Sequence, residues 1–437
     1  MKHSFDLKAT ALPSLLTTRQ VTARLEAQLG VRPNRERLMH SLAEMAAIGL
    51  QPDGSVCRRG FSTEDVAGRA LLARWMNEAG LQVRIDTAGN LIGRLQGLDP
   101  DRPSLMTGSH LDTVPTGGRF DGVLGVLAGL EVCRSLQDNG IRLQHDLELI
   151  AFADEESTMV GCKGMAGTAS CDPKAYATSN REPIEDNLAR IGGHWPSLAS
   201  ARRADDACAA FLELHVEQGG VLEQRGDAIG VVEGVVGQRR FSIQVDGQPN
   251  HAGTTPMTLR QDALVAASRI VLAVETMARQ HPGDPVATVG RLEVWPNAAN
   301  VVPGSVALTV DLRDVDSVVL DQLVAELMQQ VERIGAETGC PIQLEPQFEV
   351  EPTAAADGVM AAIVSAAEHL GLSHSHLPSR ASHDAQEIGR RWPMGMIFVP
   401  SRGGLSHSAK EFTSDEQCWA GAAVLLETLQ RLDRELP

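Results

Sequence analysis

Aromatic side chains are scarce: 5 Trp, 1 Tyr and 9 Phe make up 3% of the 437 residues. The core must therefore be packed from Leu, Val, Ala, Ile and Met. Basic residues are outnumbered, 39 Lys+Arg against 56 Asp+Glu, for a formal charge of −17. That balance argues against a general nucleic-acid binder, because phosphate neutralisation needs a basic surface. It equally disfavours attraction to anionic lipid. Long apolar runs are missing: nothing approaches the roughly 20 apolar residues of a membrane helix. The start, MKHSFDLKAT, lacks the apolar stretch of a signal peptide. Paired cysteines are missing too. The seven (Cys57, Cys133, Cys162, Cys171, Cys208, Cys340 and Cys418) are odd in number and scattered, with no CxxC. This disfavours a disulfide framework and a thiolate zinc site. The expectation is a soluble, cytoplasmic protein with neither nucleic acid nor membrane as partner.

What is present is ordinary globular sequence, 43% hydrophobic and 22% charged, long enough for two or three domains. Segments 37–49 and 63–80 carry apolar residues at helical spacing, with Gly49 and Gly80 as stops. Segment 81–97 alternates like a hairpin. Strands are predicted at 104–110, 145–156 and 210–219, with a helix over 121–140 between the first two. This alternation indicates an α/β sheet with helices on both faces. In such sheets ligands bind at the C-terminal strand ends, where the polar runs SHLD, DEE and HVEQ fall. From 236 to 350 the rhythm changes to strand 239–248, helix 259–280, strands 285–295 and 305–314, helix 317–339 and strand 341–350. That β-α-β-β-α-β order is the split βαβ pattern of a ferredoxin-like domain. It reads as an insertion, dividing the chain into 1–235, 236–350 and 351–437.

Five clusters are rich in metal-ligand residue types: His110-Leu111-Asp112, Asp121-Gly122, Asp154-Glu155-Glu156, His215-Val216-Glu217-Gln218 and Ser406-His407. Each alone is weak, since a single strand histidine is more often structural than a ligand. Their combination and order carry the argument.

The segments TGSHLDTVPTGGRFDGVLGVLAG (107–129), FADEES (152–157), LELHVEQGGVLE (212–223), NHAGTTPM (250–257), NAANVVPG (297–304), DLRD (311–314), SHDAQ (382–386) and MIFVPSRGGLSHSAKE (396–411) resemble the hydantoinase/carbamoylase amidases. This group comprises N-carbamoyl-L-amino-acid hydrolases, β-ureidopropionases and allantoate amidohydrolases, within a wider clan of dinuclear metal aminoacylases and exopeptidases. The resemblance spans roughly 35–430. It implies a zinc-exopeptidase-like α/β catalytic domain with a mixed central sheet, and an inserted lid through which the protein forms a homodimer. It also implies two divalent ions per subunit (Zn, or Mn, Co or Ni). Asp121 would bridge them, His110 and His215 would complete one site, and Glu156 and His407 the other. That set suits borderline divalent ions, which lower the pKa of water between them. Glu155 is then the general base. Asp112 would lie on the face of His110 and accept its distal N–H.

The resemblance assigns His251, from the lid, to the developing oxyanion, crossing to the partner's site. Arg313 would pair bidentately with a substrate carboxylate, unless it merely bridges to Asp311 or Asp314. Asn300 and Gln218 are further hydrogen-bonding candidates, and His383-Asp384 are possible support. The expected reaction is hydrolysis of the ureido C–N bond of an N-carbamoyl-L-amino acid. Allantoate or ureidoglycolate amidohydrolysis is the alternative, and an aminoacylase or dipeptidase a more distant one. His215, where the peptidases carry a carboxylate, counts against the last. A non-catalytic metal-stabilised scaffold is the reading of another class, and the intact ligands and Glu155 oppose it. One segment departs from the pattern. Relatives follow FADEE with Gly and an Arg-Phe pair, whereas this chain runs Ser157-Thr158-Met159-Val160-Gly161-Cys162-Lys163-Gly164.

Overall fold

In the computed structural model the described residues are 31–437; the MKHSFDLKAT segment lies outside them. Strand Ser104–His110 pairs in parallel with Leu147–Phe152 on one side and Cys208–Val216 on the other. Met394–Val399 adds in parallel beyond Cys208–Val216. Hairpin Gln82–Ile85 and Leu91–Leu95 closes one edge antiparallel, and Ile229–Val235 pairs antiparallel at the other, giving a mixed nine-stranded sheet. The hairpin turns at Gly89, whose φ is +85°, while the Asp86 carboxylate caps the amides of Ala88 and Asn90.

Helices cover both faces, as the alternation predicted. Arg35–Ala47, Val123–Asp138, Asp357–His369 and Asp415–Glu435 pack on one, in a core almost wholly of Leu, Val, Ala and Ile. The short helices Val160–Ala166 and Asp384–Ile388 pack on the other. On the first face aliphatic interdigitation makes up for the shortage of aromatics, as expected; the smaller second core adds Phe152, Phe211, Trp392 and Phe398 to its aliphatic and Met side chains. The C-terminal helix starts with a full capping box, Ser414 with Gln417.

Residues 237–350 form a second unit. Its four strands run Ile342–Val350, Gly237–Asp246, Ser305–Asp314, Val286–Trp295 across the sheet, all antiparallel. Helices Ala263–Gln280 and Ser317–Thr338 pack on one face around Ile243, Leu308, Leu323 and Ile270. In chain order the strands lie 4-1-3-2, the ferredoxin-like arrangement. Among the described residues no helix is long and apolar enough to cross a membrane, and all seven cysteines are free.

The topology decides where the chemistry goes. Because the four central strands are parallel, their C-terminal ends share one edge of the sheet. His110 ends its strand opposite Phe152, and His215 lies opposite Phe398. The acids 154–156 and His407 follow the ends of the two neighbouring strands.

Candidate metal centre

A cavity of about 330 Å³ opens at that edge, lined by His110, Asp121, Glu155, Glu156, His215, Gln218, Arg313 and His407, among others. Asp121 stands at its centre. One carboxylate oxygen lies 3.1 Å from His215 Nε2 and 3.8 Å from His110 Nε2. The other lies 3.2 Å from His407 Nε2, which is 3.6 Å from Glu156 Oε1. Among the described residues three side-chain groups could each hold a metal ion: His110–Asp121–His215 and Asp121–Glu156–His407, which share Asp121, and Glu213–His215–His383 behind the first. Imidazole nitrogens and carboxylate oxygens in these numbers fit divalent zinc or manganese.

Without cations the electrostatics are unfavourable. Burial pushes the Glu156 carboxyl up to about 8 and Glu411 to about 7. Glu155 is driven well above the usual range, by burial first and by the Glu156 charge second. Burial opposes a charge on His215, but its hydrogen bond to Asp121 prevails and lifts it to about 9. Such a concentration of buried acids is what a divalent pair neutralises.

Backbone conformation is unusual at the same edge. Asp154, Gln218 and His407 all have positive φ, 55°, 58° and 53°. Strained non-glycine residues persist where surrounding contacts over-determine them, and they cluster at functional sites. Gly122 (φ +66°) is obligatory: a Cβ there would lie 2.4 Å from His110 Nε2. Gly122→Ala is therefore expected to displace the His110 ring and weaken divalent binding at least about tenfold. Metal analysis after dialysis measures this, and full metal content in the variant would refute it.

One expected contact is not formed. The Asp112 carboxylate does not hold His110: His110 Nδ1 lies 2.9 Å from the Asp112 backbone carbonyl and 3.8 Å from its side chain. The strand ends at His110, so strand alternation no longer aims residue 112. Its carboxylate instead accepts the backbone N–H groups of Glu155 (3.3 Å) and Glu156 (3.2 Å). Asp112 thus orients the acidic turn, while its carbonyl sets the tautomer of His110.

Gln218 reaches the cavity, but its amide donates to Asp121 (2.9 Å). Arg313 also reaches the cavity and does bridge to Asp311 (Nε to Oδ1, 2.8 Å); Nη1 donates to the Arg380 carbonyl. His251 and Asn300 do not line this chain's cavity. They sit together on the ladder Asn250–His251 with Val301–Val302, where the Ala252 amide donates to the Asn300 carbonyl. His251 Nδ1 accepts the amides of Gly253 and Thr254, so Nε2 carries the proton and faces outward as a donor. His383 is buried edge-on against His215, with ring centroids 4.5 Å apart. Asp384 is buried beside it, and neither of its carboxylate oxygens has a partner.

Three supporting residues escaped sequence reasoning. Glu213 receives the Ser109 hydroxyl and the Ala385 amide directly behind His215; its spacing of two from His215 on one strand was a usable signal. Glu411 receives the amides of Phe120 and Asp121. Arg58, fully buried, donates to the carbonyls of Leu111, Met45 and Ile48 and pins the loop after His110. The last two lie in irregular chain, where no periodicity marks them.

Comparison with known proteins agrees with this geometry. The family model for peptidase family M20/M25/M40 matches residues 106–431. The chain is 40% identical to an N-carbamoyl-L-amino acid amidohydrolase of Geobacillus stearothermophilus, over 91% of this chain and 98% of the relative. It is 35% identical to an allantoate amidohydrolase of Bacillus subtilis, over 89% and 95%. The crystal structure of an amidase of the hydantoinase/carbamoylase family from Burkholderia multivorans superposes with a TM-score of 0.87 at 40% identity, covering 92% and 99%.

Proposed function

Because this chain belongs to peptidase family M20/M25/M40, in its hydantoinase/carbamoylase amidase branch, we propose that it hydrolyses the ureido C–N bond of N-carbamoyl-L-amino acids. The products are the amino acid, carbon dioxide and ammonia. The observation that carries this reading is Asp121, with one oxygen toward His110 and His215 and the other toward His407. His110, Asp121 and His215 would hold one divalent ion, and Asp121, Glu156 and His407 would hold the other. When bound, such ions supply Lewis acidity, acidifying water and polarising a carbonyl.

The chain's own residues supply the rest. Glu155 is buried, 3.7 Å from His110 Nε2. It takes the proton of the attacking water and passes it to the leaving nitrogen. Asp112 holds the turn that presents Glu155. Arg313 lines the same cavity as the acids, and its guanidinium receives the substrate carboxylate. Its bond to Asp311 orients the fork and leaves further N–H donors free. Arg313→Ala is expected to raise KM for N-carbamoyl substrates about tenfold or more while moving kcat less. An unaltered KM refutes this role.

His251 belongs to the homodimer part of the reading. Outward-facing, with its proton held on Nε2, it is suited to donate to an oxyanion in a second copy's cavity; Asn300 travels with it. Lid residues 236–350 then serve both closure and dimerisation, between catalytic segments 1–235 and 351–437.

An ammonia-release screen tests the whole proposal. It compares N-carbamoyl-L-amino acids, N-carbamoyl-β-alanine, allantoate and ureidoglycolate, with Mn and Zn supplied separately. Fastest release from the N-carbamoyl-L-amino acids supports it. Release from allantoate or ureidoglycolate alone overturns it.

A further inference from the structure

The cavity lining contains two kinds of charged group, the acids and histidines of the candidate metal centre and the Arg313 guanidinium. A ureido carboxylate that uses both leaves Ser157, Met159, Ala381 and Ser382 as the rest of the lining for the substituent on its α-carbon. Met159 and Ala381 are the only apolar side chains among the described residues lining the cavity. The wall holds no charged or amide group. The one amide in the lining, Gln218, donates its Nε2 to Asp121 and keeps a buried Oε1 without a partner. Against Met159 and Ala381 a substituent carrying a second ureido group loses its water without replacement, whereas an aliphatic one gains by burial.

Met159 is a fixed part of this wall. Its backbone is left-handed, φ 54°, which is unfavourable for a residue with a Cβ. Its amide donates to the Asp154 carbonyl (2.7 Å), and its carbonyl accepts from the Lys163 amide (3.1 Å) and the Cys162 thiol (3.3 Å). Just before it, the amide and hydroxyl of Thr158 both bind the Asp154 carboxylate. Gly161 lets the helix behind come close, because a Cβ there would lie 2.3 Å from the Ala153 amide nitrogen. The half-buried Met159 side chain packs against the cluster that contains Phe152, Cys162 and Met165. Its position is therefore set by the same turn that presents Glu155 and Glu156.

We propose that Met159 selects the α-substituent of the substrate, and that the group it admits is an uncharged aliphatic side chain. This rests on the functional reading above and adds the side-chain class to it.

The test is kcat/KM for N-carbamoyl derivatives of L-alanine, L-leucine and L-tryptophan, with allantoate alongside, in the metal-loaded wild-type protein and two variants. Met159→Gly suits the left-handed backbone, so it folds while opening the wall; Met159→Phe narrows it. The wild type is expected to favour leucine. The tryptophan-to-alanine ratio should rise about tenfold or more in Met159→Gly and fall in Met159→Phe. An active wild type whose ratio is unmoved by both variants, or shifted the same way by both, overturns the assignment of Met159 alone. A wild type that releases ammonia from allantoate and from no N-carbamoyl amino acid overturns the functional reading, and this inference with it.

Discussion

Glu155→Gln is expected to lower kcat by about 10²–10⁴-fold, the range of a lost general base, while bound metal stays at the wild-type level. Gln keeps the shape of the side chain and removes its ability to take a proton. The neighbours that position it, the Asp112 carboxylate on the amides of Glu155 and Glu156, are untouched. The environment suits the role. Burial, then the charge of Glu156, raises the Glu155 carboxyl well above an ordinary glutamate, which makes it a stronger proton acceptor than a solvated carboxylate. Metal analysis paired with steady-state ammonia release separates the outcomes. Unchanged turnover would remove Glu155 from the chemistry, and loss of metal along with activity would make it a ligand instead.

Stripping divalent ions with EDTA is expected to cut turnover at least about a hundredfold, since Lewis-acid stabilisation is worth several kcal/mol. It should also leave a protein whose stability falls with rising pH. Two histidines and two carboxyls set that sign above about pH 7; His110 and His383, which burial holds below an ordinary histidine, oppose it only up to the unfolded value of about 6.5. The hydrogen bond to Asp121 lifts His407 to about 9, and His215, despite burial, also reaches about 9. A histidine raised in this way stabilises the fold below its unfolded value, about 6.5, and loses that contribution as pH rises through the folded value. Burial raises Glu156 to about 8 and Glu411 to about 7. These stay protonated in the folded chain after the unfolded chain has ionised, so stability again drops as pH rises.

All four act in one direction. The Tm of the metal-free protein should decline from about pH 7 to about pH 9. Divalent ions should raise Tm more at the upper end, where fewer protons compete with them. A flat metal-free profile, or activity that survives chelation, would refute the dinuclear centre.

Much of the architecture was readable along the chain because it rests on local periodicity. The inserted unit's two amphipathic helices and four alternating strands fall within a few residues of their predicted spans, since burying one face of each element imposes period 3.6 or 2. The strands at 104–110, 147–152 and 208–216 were readable for a related reason: strands buried on both faces read as short apolar runs. The strands flanking the inserted unit were less distinct. Ile229–Val235 before it and Met394–Val399 after it are short, and their places in the sheet depend on partners 150 residues or more away.

The scarcity of aromatics determined an aliphatic core, and the alternation of strands and helices determined a layered α/β fold with an inserted antiparallel unit. The residue types at the strand ends determined a metal-ligand inventory. Which ligands meet was a tertiary decision. Parallel register put His110, Asp121, Glu156, His215 and His407 around one cavity although nearly 300 residues separate the first from the last. The end of strand order at His110 turned the Asp112 side chain from the imidazole to the amides of Glu155 and Glu156. Glu411 and Arg58 became part of the site only through contacts distant in sequence, and His251 and Asn300 were carried away from this chain's own cavity. Local pattern reports which face a side chain occupies. Distances between side chains depend on how elements pack, and that information is held in no single stretch of sequence.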